Sequence, residues 1–306
     1  MTSKMNDLVI EFNSDTVQYI KSLYGFETQE RFEEAINILI EWIKKQDHLI
    51  KKDSRKEYLG KVIIFSKGSV EKAKLKYDNM CKFRTLLPEY FEPFDKRNIE
   101  NVFSCLLPKM TKDHCRVYLQ KTYDRRFPAG FLDYFKFLSM MCEYLQTYDY
   151  CNSLLVVFDY FEANLEDIIK NINIVEVRNV LSIVTEGYGF RIKGIHILST
   201  SKAIDFFLII LKKALSPKIA QRIHIHTKIE TLYKHIPNEI LPLEYGGNEK
   251  SIETLSSNLM DALASKEFQE YYNTTKQYRT NEAYRNKGKV ADQMGLEGTF
   301  RKLGID

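Results

Sequence analysis

The chain has 306 residues, of which 44% are hydrophobic and 28% are charged, and its formal net charge is +4 at pH 7. This balance excludes a disordered chain, and no apolar run reaches the roughly 18 to 20 residues that a membrane-spanning helix needs. The length allows one large domain or two smaller ones.

The N-terminal segment MTSKMNDLVIEFNSD lacks the long apolar stretch and the cleavage site of a secretory signal. The cysteines are odd in number and form no C-x-x-C pair: Cys81, Cys105, Cys115, Cys142 and Cys151. Free thiols in a reducing compartment are the simplest interpretation. We therefore expect a cytoplasmic protein.

The first predicted elements are helices. From 29 to 45 the apolar residues recur at spacings of three and four, and Thr28 stands at the N-cap position. Similar patterns follow over 56–65 and 70–83. Residues 1–92 are thus predicted to form a small all-α domain, which ends at the proline-containing segment LLPEYFEPFD.

Beyond this break the pattern changes to short β-branched and aromatic segments, namely RVYLQKTY, SLLVVFDY, KGIHILST and RIHIH. Helical patterns over 130–148, 165–185 and 203–215 lie between them. This alternation predicts an α/β domain over 93–250 with a largely parallel sheet. A last helix over 252–271 and a tail complete a C-terminal region, 251–306. We expect the tail either to dock through Phe300, Leu303 and Ile305 or to remain unattached.

The segment AIDFFLIILKKAL, 203–215, is unusually apolar for a helix near a surface. Placed on a helical wheel, Asp205 and its neighbouring lysines occupy an arc of roughly 100°, whereas apolar residues cover roughly 200°. Only Ile209 intrudes on the polar arc. The segment is either a core helix between two layers or a helix whose second apolar side meets something apolar.

Paired cations flank this segment. Arg191 and Lys193 precede it on one face of a predicted strand, and Lys218 and Arg222 follow it at helical spacing. They are either solvated charges or a weak, reversible contact with an anionic membrane surface. Nucleic acid is not expected as a partner because the net charge is small.

Familiar catalytic and nucleotide-binding motifs are absent from the sequence. His224 and His226 share one face of a predicted strand and could hold a metal ion if a third ligand came from elsewhere. Hydrogen bonding of both rings at the sheet edge is the interpretation we favour. We expect no catalytic residue, metal or cofactor.

The ordered segments LLVVFDY, FRIKGIHIL, SPKIAQRIHIH and EILPLEYGG resemble the CRAL-TRIO lipid-binding family. The similarity covers about 95–250 strongly, and residues 10–90 resemble the family's helical N-terminal domain more weakly. The branch with tocopherol and retinaldehyde carriers is the most similar, and the ending GTFRKLGID resembles insect members. The resemblance implies a cage with a sheet floor, one lipophilic ligand and a mobile lid helix, which would be the segment 203–215.

The resemblance also implies site residues. The family's phosphoinositide-binding cations correspond to Arg191, Lys193, Lys218 and Arg222, whereas a fifth, arginine-rich contribution is replaced by VIIFSKGS with only Lys67 nearby. Ser139, Cys142 and Tyr188 would be the polar contacts of the ligand. The remaining ligand-binding residues would be Phe135, Leu138, Leu154, Phe158, Val180, Ile183, Val184, Phe190, Ile192, Ile195, Phe207, Ile210 and Leu211.

The leading hypothesis is a monomeric, cytoplasmic carrier of one tocopherol-, retinoid- or terpenoid-like molecule, which it exchanges at phosphoinositide-containing membranes. A phosphoinositide-dependent adaptor or lipid sensor is the alternative. An enzyme that uses His224 and His226 is a third hypothesis.

Overall fold

The computed structural model describes residues 9–123, 127 and 129–285. Its N-terminal part is helical, as the sequence predicted, and a helix over Thr16–Leu23 was missed. Thr28 caps the second helix by accepting a hydrogen bond from the Arg31 backbone N–H (3.4 Å). The helices are α1 (Thr16–Leu23), α2 (Gln29–Lys44), α3 (Lys56–Phe65) and α4 (Val70–Leu86).

A five-stranded sheet in the order β1-β2-β3-β4-β5 forms the centre of the described structure. The first pair is antiparallel and the other pairs are parallel. This confirms the predicted α/β class, and β1 is the strand that the sequence analysis missed. The strands are β1 (Val102–Leu106), β2 (Cys115–Thr122), β3 (Ser153–Asp159), β4 (Ile192–Leu198) and β5 (Ile223–His226).

Helices cover one face of the sheet. They are α5 (Leu132–Tyr148), α6 (Leu165–Asn171), α7 (Ile174–Ser182) and α8 (Ile204–Ala214), with a π-helical turn over Ile183–Gly187 and a short helix, α9, over Pro217–Ala220. The single helix expected over 165–185 is therefore wrong. The chain leaves the helix at Ile172, and the Asn173 side chain caps a new one by accepting from the Val175 N–H (3.0 Å).

The opposite face packs against the C-terminal part of the chain. Buried side chains of β1 to β4 meet turns between 229 and 245 and the helix α10 (Ile252–Ala264). The helix expected over 252–271 is interrupted at Ser265, whose hydroxyl caps α11 (Lys266–Thr275). The tail residues Phe300, Leu303 and Ile305, like the ending GTFRKLGID, lie outside the described residues.

The helical and α/β parts share contacts across the predicted boundary at residue 92. Arg84 of α4 donates to the Glu143 carboxylate of α5 (2.8 Å), and both side chains are buried. Tyr188 and Tyr271 donate to the same carboxylate at 2.9 Å each. These contacts join side chains from all three predicted regions, so the packing does not itself mark a division of the chain. The boundaries 1–92, 93–250 and 251–306 stay predictions.

Candidate functional site

An apolar cavity of about 160 Å³ lies between the sheet and the helices that cover it. Alternate residues of β3, Leu154, Val156 and Phe158, form part of its floor, since successive side chains of a strand point to opposite faces. Side chains of α5, α6, α7 and the π-helical turn form the walls. A space bounded in this way by aliphatic and aromatic groups can exclude water and hold an apolar molecule.

The helix α8 covers this cavity with one of its two apolar sides. Phe207 is 3% exposed and lines the cavity together with Leu211. On the other side, Phe206 is 57% exposed and Ile209 is 55% exposed. The helix is therefore apolar on its covered side and carries exposed apolar residues on its outer side.

Most predicted ligand-binding residues lie on the cavity wall, where they remain predicted ligand contacts. They are Phe135, Leu138, Cys142, Leu154, Phe158, Val180, Val184, Ile192, Ile195, Phe207 and Leu211.

The other predicted residues are not on the wall. Ser139 turns back to donate to the Phe135 carbonyl (3.1 Å), and Tyr188 donates to Glu143, so both hydroxyls are used by the protein. Phe190 packs its ring against Phe65, with ring centroids 4.8 Å apart. Ile183 is buried in the core, and Ile210 is half-buried on α8 without lining the cavity.

The polar groups on the wall come instead from β2 and α5. Tyr134 donates to the Gln120 amide oxygen (2.5 Å), and the Gln120 amide donates to the Thr122 hydroxyl (2.5 Å). Tyr118 donates to the Ser104 hydroxyl (3.0 Å), and its oxygen lies 2.8 Å from that of Tyr134. The sequence analysis missed this group, although the alternation of Tyr118, Gln120 and Thr122 along a strand is a signal that places them on one face.

Tyr160, which follows β3, adds a further polar group to the wall. Its ring stacks on Phe158 (centroids 5.9 Å apart) and meets the Phe207 ring of α8 edge-on (5.7 Å). Tyr160 continues the alternation of Leu154, Val156 and Phe158, so the strand pattern could have identified it.

Three of the four predicted headgroup cations lie at the amino-terminal ends of β4 and β5, where they contact other groups. Arg222 donates to the Ile192 carbonyl, and Arg191 donates to the carbonyl and side-chain oxygens of Asn152. A carbonyl group is neutral, so it does not neutralise the positive charge of either guanidinium group. Lys193, which is about half exposed, is paired with the Asp113 carboxylate.

Lys218 on α9 is exposed and makes no ion pair or side-chain hydrogen bond with a described residue. Lys76 of α4 is a cation that the sequence analysis missed. It donates to the Thr185 carbonyl (3.3 Å), and burial followed by the charge of Arg191 lowers its pKa to about 8. Glu186 raises the pKa of Lys76, whereas Lys72 and Lys67 lower it, so lysines of the helical region lie near Arg191 together with one carboxylate.

Four of the six histidines form a cluster on the sheet face opposite the cavity. Ligand atoms of His196, His226 and His235 lie within 4.8 Å of one another, and His224 stacks on His196 with ring centroids 5.0 Å apart. The candidate ligand set is therefore His226 with His196 of β4 and His235 from the chain after β5, and His224, which was expected to pair with His226, is not part of it. Both rings were expected to be hydrogen-bonded at the sheet edge. His224, however, makes no side-chain hydrogen bond with a described residue.

Hydrogen bonds determine which nitrogens of this cluster carry protons. The Thr231 hydroxyl donates to the Lys228 carbonyl (2.7 Å), so it accepts from His226 Nδ1 (2.7 Å). His226 Nε2 then accepts from His196 Nδ1 at 3.0 Å. Burial, followed by the neighbouring histidines, lowers the pKa of His196 to about 3 and that of His226 to about 4. Both rings are therefore neutral at pH 7.

Comparison with known proteins agrees with this architecture. Residues 100–247 match the model of the CRAL/TRIO domain. This chain contains a CRAL/TRIO domain over these residues. The match confirms the resemblance inferred from the ordered segments and accounts for the sheet floor beneath a layer of helices. Among the described residues, no helix has both the length and the apolar character needed to cross a membrane.

Curated relatives include proteins named alpha-tocopherol transfer protein-like. The protein from Mus musculus is 31% identical over 117 residues, which are 38% of this chain and 34% of the relative. The protein from Homo sapiens is 28% identical over 108 residues, 35% of this chain and 31% of the relative. Each match thus covers about a third of the relative's length. A solved structure titled "Crystal structure of Sfh5" aligns with a TM-score of 0.44 and 12% identity, covering 85% of this chain and 100% of that chain.

Proposed function

We propose that this protein is an intracellular carrier that binds one lipophilic molecule in the cavity and exchanges it at membranes that contain phosphoinositides. The apolar cavity beneath α8 is the observation that carries the proposal. The names of the curated relatives agree with a transfer function. A tocopherol-, retinoid- or terpenoid-like ligand would suit a wall built from aliphatic and aromatic side chains.

The outer side of α8 supports membrane contact. Phe206 and Ile209 are exposed large apolar residues, exposed Lys202 precedes the helix, and exposed Lys212 and Lys213 lie in its last turn. An exposed apolar surface beside cations suits an anionic bilayer, since the apolar groups enter the interface while the lysines meet the headgroups. We therefore propose that α8 acts as a lid that opens at the membrane.

The cations at the ends of β4 and β5 support headgroup binding. Arg191 and Arg222 donate to neutral carbonyl groups and form no ion pair with the part of the chain that the structure describes, and Lys218 is exposed. A polyanionic headgroup would also compete with Asp113 for Lys193. Lys76, Lys72 and Lys67 add positive potential from the helical region, where the arginine-rich family sequence is missing.

The alternative is a phosphoinositide-dependent adaptor or sensor. A carrier loads ligand even when its headgroup cations are lost, whereas a sensor loses its whole membrane response. No chemical step on the ligand is part of either proposal. The cytoplasmic location and the monomeric state remain predictions within the carrier proposal.

A transfer assay tests the carrier proposal through its most accessible cations. We expect Lys193→Ala combined with Lys218→Ala to weaken binding to phosphoinositide vesicles by about 2 kcal/mol, or roughly 30-fold, because each basic residue contributes about 1 kcal/mol at such a surface. Transfer of a fluorescent lipophile to these vesicles should slow accordingly, while loading of the same lipophile should be unchanged.

The matched control is Lys56→Ala combined with Lys266→Ala, since both of these lysines are exposed and lie on other elements. It removes the same charge and should leave transfer as in the wild type. Equal effects of the two double variants, or no dependence on phosphoinositide content, would contradict headgroup-directed exchange.

A further inference from the structure

Three tyrosines line the cavity, and the hydroxyls of two of them are hydrogen-bonded within the protein. Tyr134 directs its proton at the Gln120 amide oxygen, and Tyr118 directs its proton at the Ser104 hydroxyl. Each phenol has one proton to donate. Neither tyrosine therefore has a donor left for a bound molecule.

The hydroxyl of Tyr160 is different, because it makes no hydrogen bond with any residue in the described part of the chain. The residue is 8% exposed and lines the cavity. Burial raises its pKa, so the hydroxyl keeps its proton. A hydroxyl that keeps its proton and has no partner in the protein can donate to a bound molecule that carries an acceptor.

The polar residues of the wall lie on neighbouring strands, since Gln120 of β2 pairs with Phe158 of β3 and Tyr160, two residues after Phe158, lies at the same end of the strands as Thr122. Burial is the largest cause of the raised pKa values of Tyr118 and Tyr134, and the charge that Tyr160 would carry when ionised raises both further. The wall therefore has a polar end, formed by Tyr118, Tyr134, Gln120 and Thr122, with Tyr160 as its unused donor. The rest of the wall is apolar.

We propose that the Tyr160 hydroxyl donates a hydrogen bond to an oxygen atom of the bound molecule and so selects an oxygenated lipid over a hydrocarbon. This inference rests on the carrier function proposed above and names the chemical class of the cargo. An alcohol, aldehyde or ketone oxygen accepts the bond, and an alcohol can in turn donate to the oxygen lone pairs of the neighbouring tyrosines.

The same residue contacts the covering helix. The Tyr160 ring packs edge-on against Phe207 of α8 and stacks on Phe158 of the floor. A ligand oxygen held by Tyr160 thus lies beside the point where α8 meets the floor. The ligand enters with its oxygenated end directed at this contact and its hydrocarbon part along the aliphatic wall.

The test compares farnesol with farnesene, which has the same carbon skeleton but a further double bond in place of the hydroxyl, by displacement of the fluorescent dye N-phenyl-1-naphthylamine from the full chain. Tyr160→Phe keeps the ring that packs on Phe207 and removes only the hydroxyl. We expect it to weaken farnesol binding roughly fivefold to tenfold, the usual effect of one neutral hydrogen bond, and to leave farnesene binding within about twofold.

Tyr188→Phe is the matched control, because this variant removes a buried hydroxyl that bonds to Glu143 away from the cavity. It should leave the ratio of the two affinities unchanged. Farnesol binding that is unaltered in Tyr160→Phe, or an equal loss for both probes, would overturn the inference and leave the carrier proposal standing. Failure of both probes to displace the dye from the wild type would instead contradict the carrier proposal and this inference together.

Discussion

At the scale of single residues, His196 and His226 are ionisable groups that the fold holds neutral. Burial is the main cause, and the neighbouring His224 and His235 disfavour a further positive charge. Lys234 acts on His235 in the same direction. In the unfolded chain both histidines regain an ordinary pKa near 6.5, so they bind protons there more readily than in the fold.

This difference predicts that stability falls as the pH falls. Because both folded-state pKa values are depressed, the stabilisation is fully present above about pH 6.5 and is lost toward pH 4. We expect the free energy of unfolding to drop by about 3 kcal/mol between pH 7 and pH 5, measured by urea denaturation. His196→Gln should show a clearly smaller drop, and an identical drop would contradict the assignment.

Single residues also show what the sequence could and could not predict. The floor residues Leu154, Phe158 and Ile195 follow from family position and strand alternation, and they lie on the cavity wall. Ser139 and Tyr188 were expected to contact the ligand because they are polar residues at pocket positions. Ser139 donates to the carbonyl four residues earlier in its own helix, as a mid-helix serine often does, whereas Tyr188 donates to Glu143, which is 45 residues away and comes close only in the folded structure.

At the scale of elements, α8 explains why its sequence is too apolar for an ordinary surface helix. Phe207 and Leu211 cover the cavity, whereas Phe206 and Ile209 face outward. The sequence predicted two apolar sides but could not assign residues to them, so Phe207, Ile210 and Leu211 were all expected to contact the ligand. The structure places Phe207 and Leu211 on the cavity wall and Ile210 off it, because packing of Phe207 on Tyr160 sets the direction in which the helix faces.

Charging the outer side of α8 separates binding from transfer. In Phe206→Asp and Ile209→Asp the carboxylate points to solvent, so we expect ligand affinity to change less than about twofold and transfer to anionic vesicles to slow at least about tenfold. Dye displacement and vesicle-to-vesicle transfer measure the two quantities. Equal losses in both assays would show that these residues do not form the membrane-facing side.

At the scale of the whole molecule, the sheet separates two environments. One face and its helices enclose the cavity, and the other face packs against α10 and holds the histidine cluster. The sequence predicted this α/β architecture from its alternating segments, since local periodicity encodes helices and strands. It could not predict the cavity, because a lined pocket and a filled core require the same apolar residues.

The most direct test of the carrier account is mass spectrometry of the organic-soluble material released from protein purified from its own cells. Val180 lines the cavity and Val175, on the same helix, is exposed. Wild-type protein and Val175→Phe should each release one oxygen-containing lipophilic molecule in near-equimolar amount, and Val180→Phe, whose added ring fills the cavity, should release little or none. The account would be contradicted if the wild type carried no lipid. It would also be contradicted if Val180→Phe carried as much lipid as the wild type.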